Sequence, residues 1–240
     1  MPVDILLTVI ATAAIQSIFG VGVLLFGTPL LLLLGHDFVN ALIILLPISI
    51  AVNSLQLIKH YSYIDTGFYK NVLIFTIPFV VVFLFIVTSA RINISMLVGA
   101  FLIFVALKNF SPVIDKLLAA MVRYERSYLM AMGVIHGMTN LGGSLLTAVV
   151  HGKQYEKNTT RATIAACYAT FAIFQIITLL LMGNRFDVSY AQNVDFLQVG
   201  VLVFLLTEEI VYTGIDNEKY SKIFAAFLFA SGVLLVMKSL

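Results

Sequence analysis

The sequence predicts an all-α polytopic membrane protein of two repeated halves, each with four hydrophobic segments. The first segment of each half is broken or re-entrant, and the halves form an inverted repeat. Three observations predict this. The 240 residues are 61% hydrophobic and 11% charged, with mean hydropathy +1.05, whereas a soluble domain carries roughly a quarter of its residues as charges. Apolar stretches near the span length of about 20 residues recur along the whole chain. Two similar glycine-interrupted stretches open the two halves.

In chain order, the first segment covers residues 3–35. It is too long for one span and is interrupted within SIFGVGVLLFG. Its start carries Asp4 and no basic leader, so it is expected to stay in the mature protein. Residues 38–59, 68–89 and 94–110 complete an N-terminal half over 1–110, with kinks expected at Pro47 and Pro78 and with Pro29 shaping the return from the first break. Residues 111–126 form a cytoplasmic linker, either a short amphipathic surface helix with Leu117, Leu118 and Met121 on its apolar side or a solvated loop. The C-terminal half, 127–240, has segments at 127–150, 160–182, 196–212 and 222–238. Tyr61, Tyr63, Tyr69, Tyr212 and Tyr220 are the expected interfacial belt, since tryptophan is absent.

The halves correspond at their openings. IQSIFGVGVLLFGTPLLLLLG pairs with IHGMTNLGGSLLTAVVHG, which sets Gln16 against His136, Gly20 against Asn140, Gly22 against Gly142 and Gly27 against Thr147. Paired interruptions of this kind point to a transporter's binding site. For one segment alone, close helix packing through small residues would be the plainer reading.

Loop charges distinguish the topologies. If both broken segments crossed, eight basic residues would face one side and six the other. If each enters, turns at its glycines and returns, then Lys59, Lys70, Lys108, Lys116, Arg123, Arg126, Lys153, Lys157, Arg161, Lys219 and Lys222 share one side against Arg91, Arg185 and Lys238. That eleven-to-three split obeys the positive-inside rule and puts both termini outside.

The expected midplane site is rich in hydroxyls, amides and helix N-termini, which suit a small anion. The candidate substrate-binding residues are Gln16, Ser17, Gly20, Gly22, Thr28, Asn53, His136, Thr139, Asn140, Gly142, Gly143, Ser144 and Thr147. Ser49, Gln56, Thr163, Thr170 and Gln175 add polar groups on the spans that follow. No span carries a central acidic pair, which disfavours a carboxylate-relay cation pump. His136 is either a substrate or proton-coupling group or a plain hydrogen-bonded histidine. Arg91 and Arg161 lie at span ends, where snorkelling is the default, although Arg161 could instead guard a cytoplasmic mouth for anions. Glu208 and Glu209 are expected to reach headgroups or water. No metalloprotease, nucleophile-elbow or phosphate-loop motif is present. Ser144 with His136 is the sole candidate catalytic pair, and the chain is expected not to be an enzyme. A lone Cys167 excludes an internal disulfide framework. The expected partners are a small anionic substrate and the lipid bilayer, with a second copy as the candidate protein partner and no nucleic acid.

At SIFGVGVLLFGTPLLLLLG and HGMTNLGGSLLTAVVHG the sequence resembles the sulfite exporter (TauE/SafE) family of bacterial and archaeal membrane proteins. Gly20, Gly22, Thr28, Pro29, Leu30 and Gly35 match the first copy of its motif, and Gly137, Gly142 and Gly143 match the second. Val23 and Leu24 stand where a glycine run would continue, and no proline follows Thr147. The resemblance implies inner-membrane transport of sulfite, thiosulfate, sulfoacetate or related organosulfonates, usually outward and with no cofactor. The alternatives are a channel-like facilitator of the same anion and a non-transporting scaffold subunit that docks through residues 108–126.

Overall fold

The computed structural model describes residues 2–90, 92–108, 123–183, 188–211 and 217–240, all helix, turn or loop. The helices are α1 (Val3–Phe19), α2 (Val23–Leu33), α3 (Phe38–His60), α4 (Thr66–Phe75), α5 (Ile77–Ser89), α6 (Ile94–Lys108), α7 (Glu125–Thr139), α8 (Gly143–Gly152), α9 (Lys157–Leu181), α10 (Tyr190–Val211) and α11 (Asn217–Ser239). Four described stretches are long and apolar enough to cross a membrane: Phe38–Ile58, Thr66–Ser89, Lys157–Leu181 and Tyr190–Glu208. The amphipathic linker residues Leu117, Leu118 and Met121, together with Arg91, Arg185 and Tyr212, lie outside the described residues.

Both glycine-broken segments fold back on themselves. The first runs along α1, turns at residues 20–22 and returns along α2, so that His36 Nε2 stands 2.7 Å from Asp4 Oδ2. The second runs along α7, turns at 140–142 and returns along α8, and Lys153 Nζ lies 2.6 Å from Glu125 Oε2. Each hairpin is thus clasped at its open end by an acid at the start of one arm and a basic group just past the other.

The two open ends lie at opposite ends of the bent helix Thr66–Ser89. At its start, Asn71 Nδ2 donates to Glu125 Oε1 at 2.7 Å, and the Tyr155 hydroxyl donates to Asp65. Just past its end, Asn93 and Ser95 share a cavity of about 260 Å³ with Leu32, Gly35, His36, Lys238 and Ser239. The hairpins therefore enter the bundle from opposite ends.

The bend falls at Thr76, where α4 stops and α5 restarts with Pro78 in its first turn. Pro78 lacks an N–H and its ring crowds the preceding turn. The expected kink serves the second hairpin. Thr76 Oγ1 donates to Leu129 O at 3.1 Å, and α7 presses so closely that a Cβ on Gly133 would stand 2.5 Å from Thr76 O. One turn on, a Cβ on Gly137 would meet Val80 O at 2.6 Å. α6 and α11 make the same kind of small-residue crossing through Gly99 and Gly232, where a Cβ on either would lie 2.8 Å from the other's carbonyl oxygen.

The end that carries the second hairpin's base is tied across the halves. The Asp65 N–H donates to Thr163 Oγ1 at 3.0 Å, while the Asp65 carboxylate caps α4 at the Phe68 N–H, 3.0 Å away, and receives Tyr155. Burial pushes the Asp65 carboxyl up, but the Tyr155 hydroxyl, the Phe68 and Gly67 N–H groups and the Lys153 charge outweigh it and hold the carboxyl below its ordinary value. Burial, reinforced by Asp65, pushes Tyr155 up. Of the expected tyrosine belt, Tyr61 and Tyr63 are exposed, but Tyr69 turns inward, its hydroxyl 2.7 Å from Thr170 Oγ1.

Two predictions follow from this packing. Gly137→Ala, with no room against Val80 O, should cost about 1–3 kcal/mol, read as a lowered melting temperature in detergent; an unchanged value would show the α5–α7 contact to be loose. Tyr155→Phe should lower the melting temperature at neutral pH. Because the folded Asp65 carboxyl is depressed, its contribution is full above the ordinary carboxylate range and is lost as pH falls through the depressed value. The gap between Tyr155→Phe and wild type should therefore narrow below about pH 4, and a gap independent of pH would count against the Asp65 bond.

Candidate functional site

The two turns share one backbone geometry. Gly20 ends α1 at φ 74, and its N–H bonds Gln16 O at 2.8 Å. Asn140 ends α7 at φ 61, and its N–H bonds His136 O at 2.8 Å. Both are left-handed, a conformation open to glycine and tolerated by asparagine. Two residues on, each chain passes hard against the arm it has left. A Cβ on Gly22 would lie 2.6 Å from Gln16 N and 2.8 Å from Thr12 O, and one on Gly142 would lie 2.5 Å from His136 Cβ and 3.0 Å from Met132 O. These glycines let the arms touch.

The side chains at the turns differ. Gln16 is a brace: its Oε1 accepts from the Val23 N–H at 3.0 Å, and its Nε2 reaches Gly20 O at 3.1 Å and Asn53 Oδ1 at 3.2 Å. Asn53 in turn donates to Ser49 O at 2.7 Å and Ser49 Oγ at 3.1 Å. Every polar atom of the Gln16–Asn53 pair is thereby used within the protein. Ser17 is buried and bonds Ala14 O at 2.8 Å.

At the second turn His136 occupies the place of Gln16. It does not bridge the break: its Nε2 lies 3.2 Å from Gln175 Oε1 on α9 and the ring packs 4.7 Å from that of Phe171. The turn is held instead by Thr139, whose Oγ1 accepts from the Leu141 N–H at 3.2 Å and donates to Ile135 O at 2.7 Å. Asn140 Nδ2 donates across the halves to Thr28 Oγ1 at 2.8 Å, joining the second tip to the return arm of the first hairpin. Ser144 and Thr147 bond their own helix turn, at Leu141 O and Gly143 O. Over Gly143 stands the Tyr168 ring, its hydroxyl filling the space a Cβ would need.

Three polar atoms around this second turn have no protein partner among the described residues: Asn140 Oδ1, His136 Nδ1 and Gln175 Nε2. All three residues are no more than 1% exposed. Unpaired buried polar atoms are costly and rare, so a cluster of them marks where something else bonds.

The thirteen candidate residues divide accordingly. Gln16, Ser17, Gly20, Gly22 and Asn53 build the first turn; His136, Thr139, Asn140, Gly142, Gly143, Ser144 and Thr147 build the second; Thr28 links the two. Gln175 belongs to the set although sequence reasoning placed it only among the accessory groups; the signal was its position on α9 one residue past the place that corresponds to Asn53 on α3 once a one-residue gap is allowed. Arg161 is a correction. It does not snorkel: its Nη2 pairs with Glu208 Oε1 at 2.7 Å, and its Cγ lies 3.8 Å from the Cβ position of Gly20. Glu208 accordingly turns to Arg161, not to headgroups.

Against known proteins, the family model described as sulfite exporter TauE/SafE matches residues 5–235, nearly the whole chain. No curated protein and no solved structure matches.

Proposed function

The chain belongs to the sulfite exporter TauE/SafE family, and from that premise we propose that it moves a small sulfur-containing anion outward through a midplane site at the second hairpin turn. Membership makes it a multi-pass membrane protein of a transporter family for sulfite or related anions. The proposal adds the sulfite, thiosulfate or organosulfonate class, the outward direction and alternating access. The observation that carries it is the set of partnerless buried atoms of Asn140, His136 and Gln175, which together offer a donor and acceptors and so suit a protonated oxyanion.

Two hairpins that enter from opposite ends, with matched turns and matched clasps, support an inverted repeat whose halves exchange roles as the site opens to one face and then the other. Lys70, Lys153, Lys157 and Arg161 sit on the segments or loop at the end that holds the second hairpin's base. That end is cytoplasmic in this reading, and both termini face outside the inner membrane. A cytoplasm negative by about 100 mV favours exit of a monovalent anion by about 2.3 kcal/mol, so export needs no coupled ion.

Two experiments test this. Cysteines at positions 4 and 36 should be labelled by an impermeant thiol reagent from outside the cell, and cysteines at 125 and 153 only from the cytoplasmic side; labelling of both pairs from one side would sink the opposed-hairpin topology. Purified wild type should gain thermal stability with sulfite or thiosulfate and release labelled sulfite from proteoliposomes. Asn140→Gly keeps the left-handed turn but loses the amide, so it should stay folded, lose the thermal shift and transport at least about tenfold more slowly. Transport at the wild-type rate in that variant would remove the second turn from the site.

A further inference from the structure

The first turn carries a charge that the set at the second turn does not use. Arg161 lies beside Gly20 with no side chain between them, paired with Glu208 at side-chain exposures of 12% and 20%. Arg161, Tyr168 and Gln175 are spaced by seven residues, about two helical turns, so they share one face of α9. That face meets the first turn at Arg161 and the second at Tyr168 and Gln175. On α3, one turn beyond Asn53, Gln56 is 2% exposed, and neither atom of its amide has a partner among the described residues. The connection that follows α3 meets the first turns of α9 at the Asp65–Thr163 bond, so Gln56 and Arg161 lie toward the same end of the bundle.

We propose that Arg161 is a second anion-binding residue, between the site at the second turn and the cytoplasmic end, and that Glu208 is its built-in competitor. The inference rests on the transport reading above. A guanidinium presents a planar fork that fits a carboxylate or a sulfur oxyanion equally well. Left alone in a buried setting it would be costly. Exchanging Glu208 for an incoming anion keeps it paired in both states, and the released Glu208, near the end of α10, can turn to water. The Gln56 amide offers the anion a neutral donor on the same route. Together these groups admit anions to the turns and hold each one loosely enough to pass on.

The alternative is a structural clasp, and it predicts the opposite sign. In proteoliposomes with labelled sulfite, Arg161→Gln should raise the half-saturating concentration at least about tenfold, and Arg161→Lys should fall between it and wild type. Glu208→Gln, which removes the competitor and keeps the shape, should lower the half-saturating concentration several-fold, and the double variant should resemble Arg161→Gln. If both single variants are impaired and the double variant recovers, the pair is a clasp and the inference is overturned. It is overturned alone if wild type transports and Arg161→Gln matches it. Wild-type vesicles inert to sulfite, thiosulfate and sulfonates would overturn the transport reading, and this inference with it. Size-exclusion profiles of each variant separate loss of folding from loss of binding.

Discussion

A helix broken inside a bilayer exposes N–H and C=O groups where water cannot reach them, and the architecture depends on how those groups are satisfied. At the first turn one side chain does most of this: Gln16 spans from Gly20 O to the Val23 N–H. For it to do so, Gly22 must lie against the α1 backbone, and Asn53 must come close enough on α3 to take the remaining amide proton. The position of α3 is therefore coupled to the first break. At the second turn His136 makes no such bridge: Thr139 takes the Leu141 N–H, while the Asn140 amide crosses to the Thr28 hydroxyl. That bond couples the two hairpins.

The clasps apply the same constraint at the open ends. Asp4 with His36 and Glu125 with Lys153 tie each return arm to its own start, so a hairpin can move as one body. The α5–α7 contact shows what such motion must work against. Gly133 and Gly137 bring backbone to within contact distance of Thr76 and Val80, and the bend at Thr76 exposes a hydroxyl that bonds α7 directly. A surface this close has few positions in which it fits, which favours discrete states over continuous sliding.

Much of this was legible in the sequence. The pairing of Gly20 with Asn140 and of Gly22 with Gly142 is visible from glycine spacing, because a left-handed turn and a close approach each restrict residue type severely. The return of each hairpin was legible from loop charges, since lysines respond to membrane sidedness. The roles of the polar residues were not. Gln16 and His136 occupy matching positions, yet one bonds across its break and is fully used, while the other turns to Gln175 and is not. Gly137 matches a family motif but serves as a packing surface for α5. The Arg161–Glu208 pair joins α9 to α10 across 47 residues, and no local pattern announces it. The tyrosine belt failed at Tyr69 because a phenol takes a buried partner as readily as an interface.

The asymmetry of the two turns bears directly on mechanism. If both were fully braced, the bundle would be rigid at its centre and offer an anion nothing; if neither were, the cost of unpaired groups in lipid would be prohibitive. Here the first turn is closed upon itself and flanked by a charge already paired, while the second keeps buried atoms in reserve. An ion bound at the second turn would repay that reserve, and because Asn140 also holds Thr28, binding there would act on the contact between the hairpins. Binding energy would then be spent where the halves touch. A carrier needs that coupling and a pore does not, which favours alternating access over a channel on the same fold.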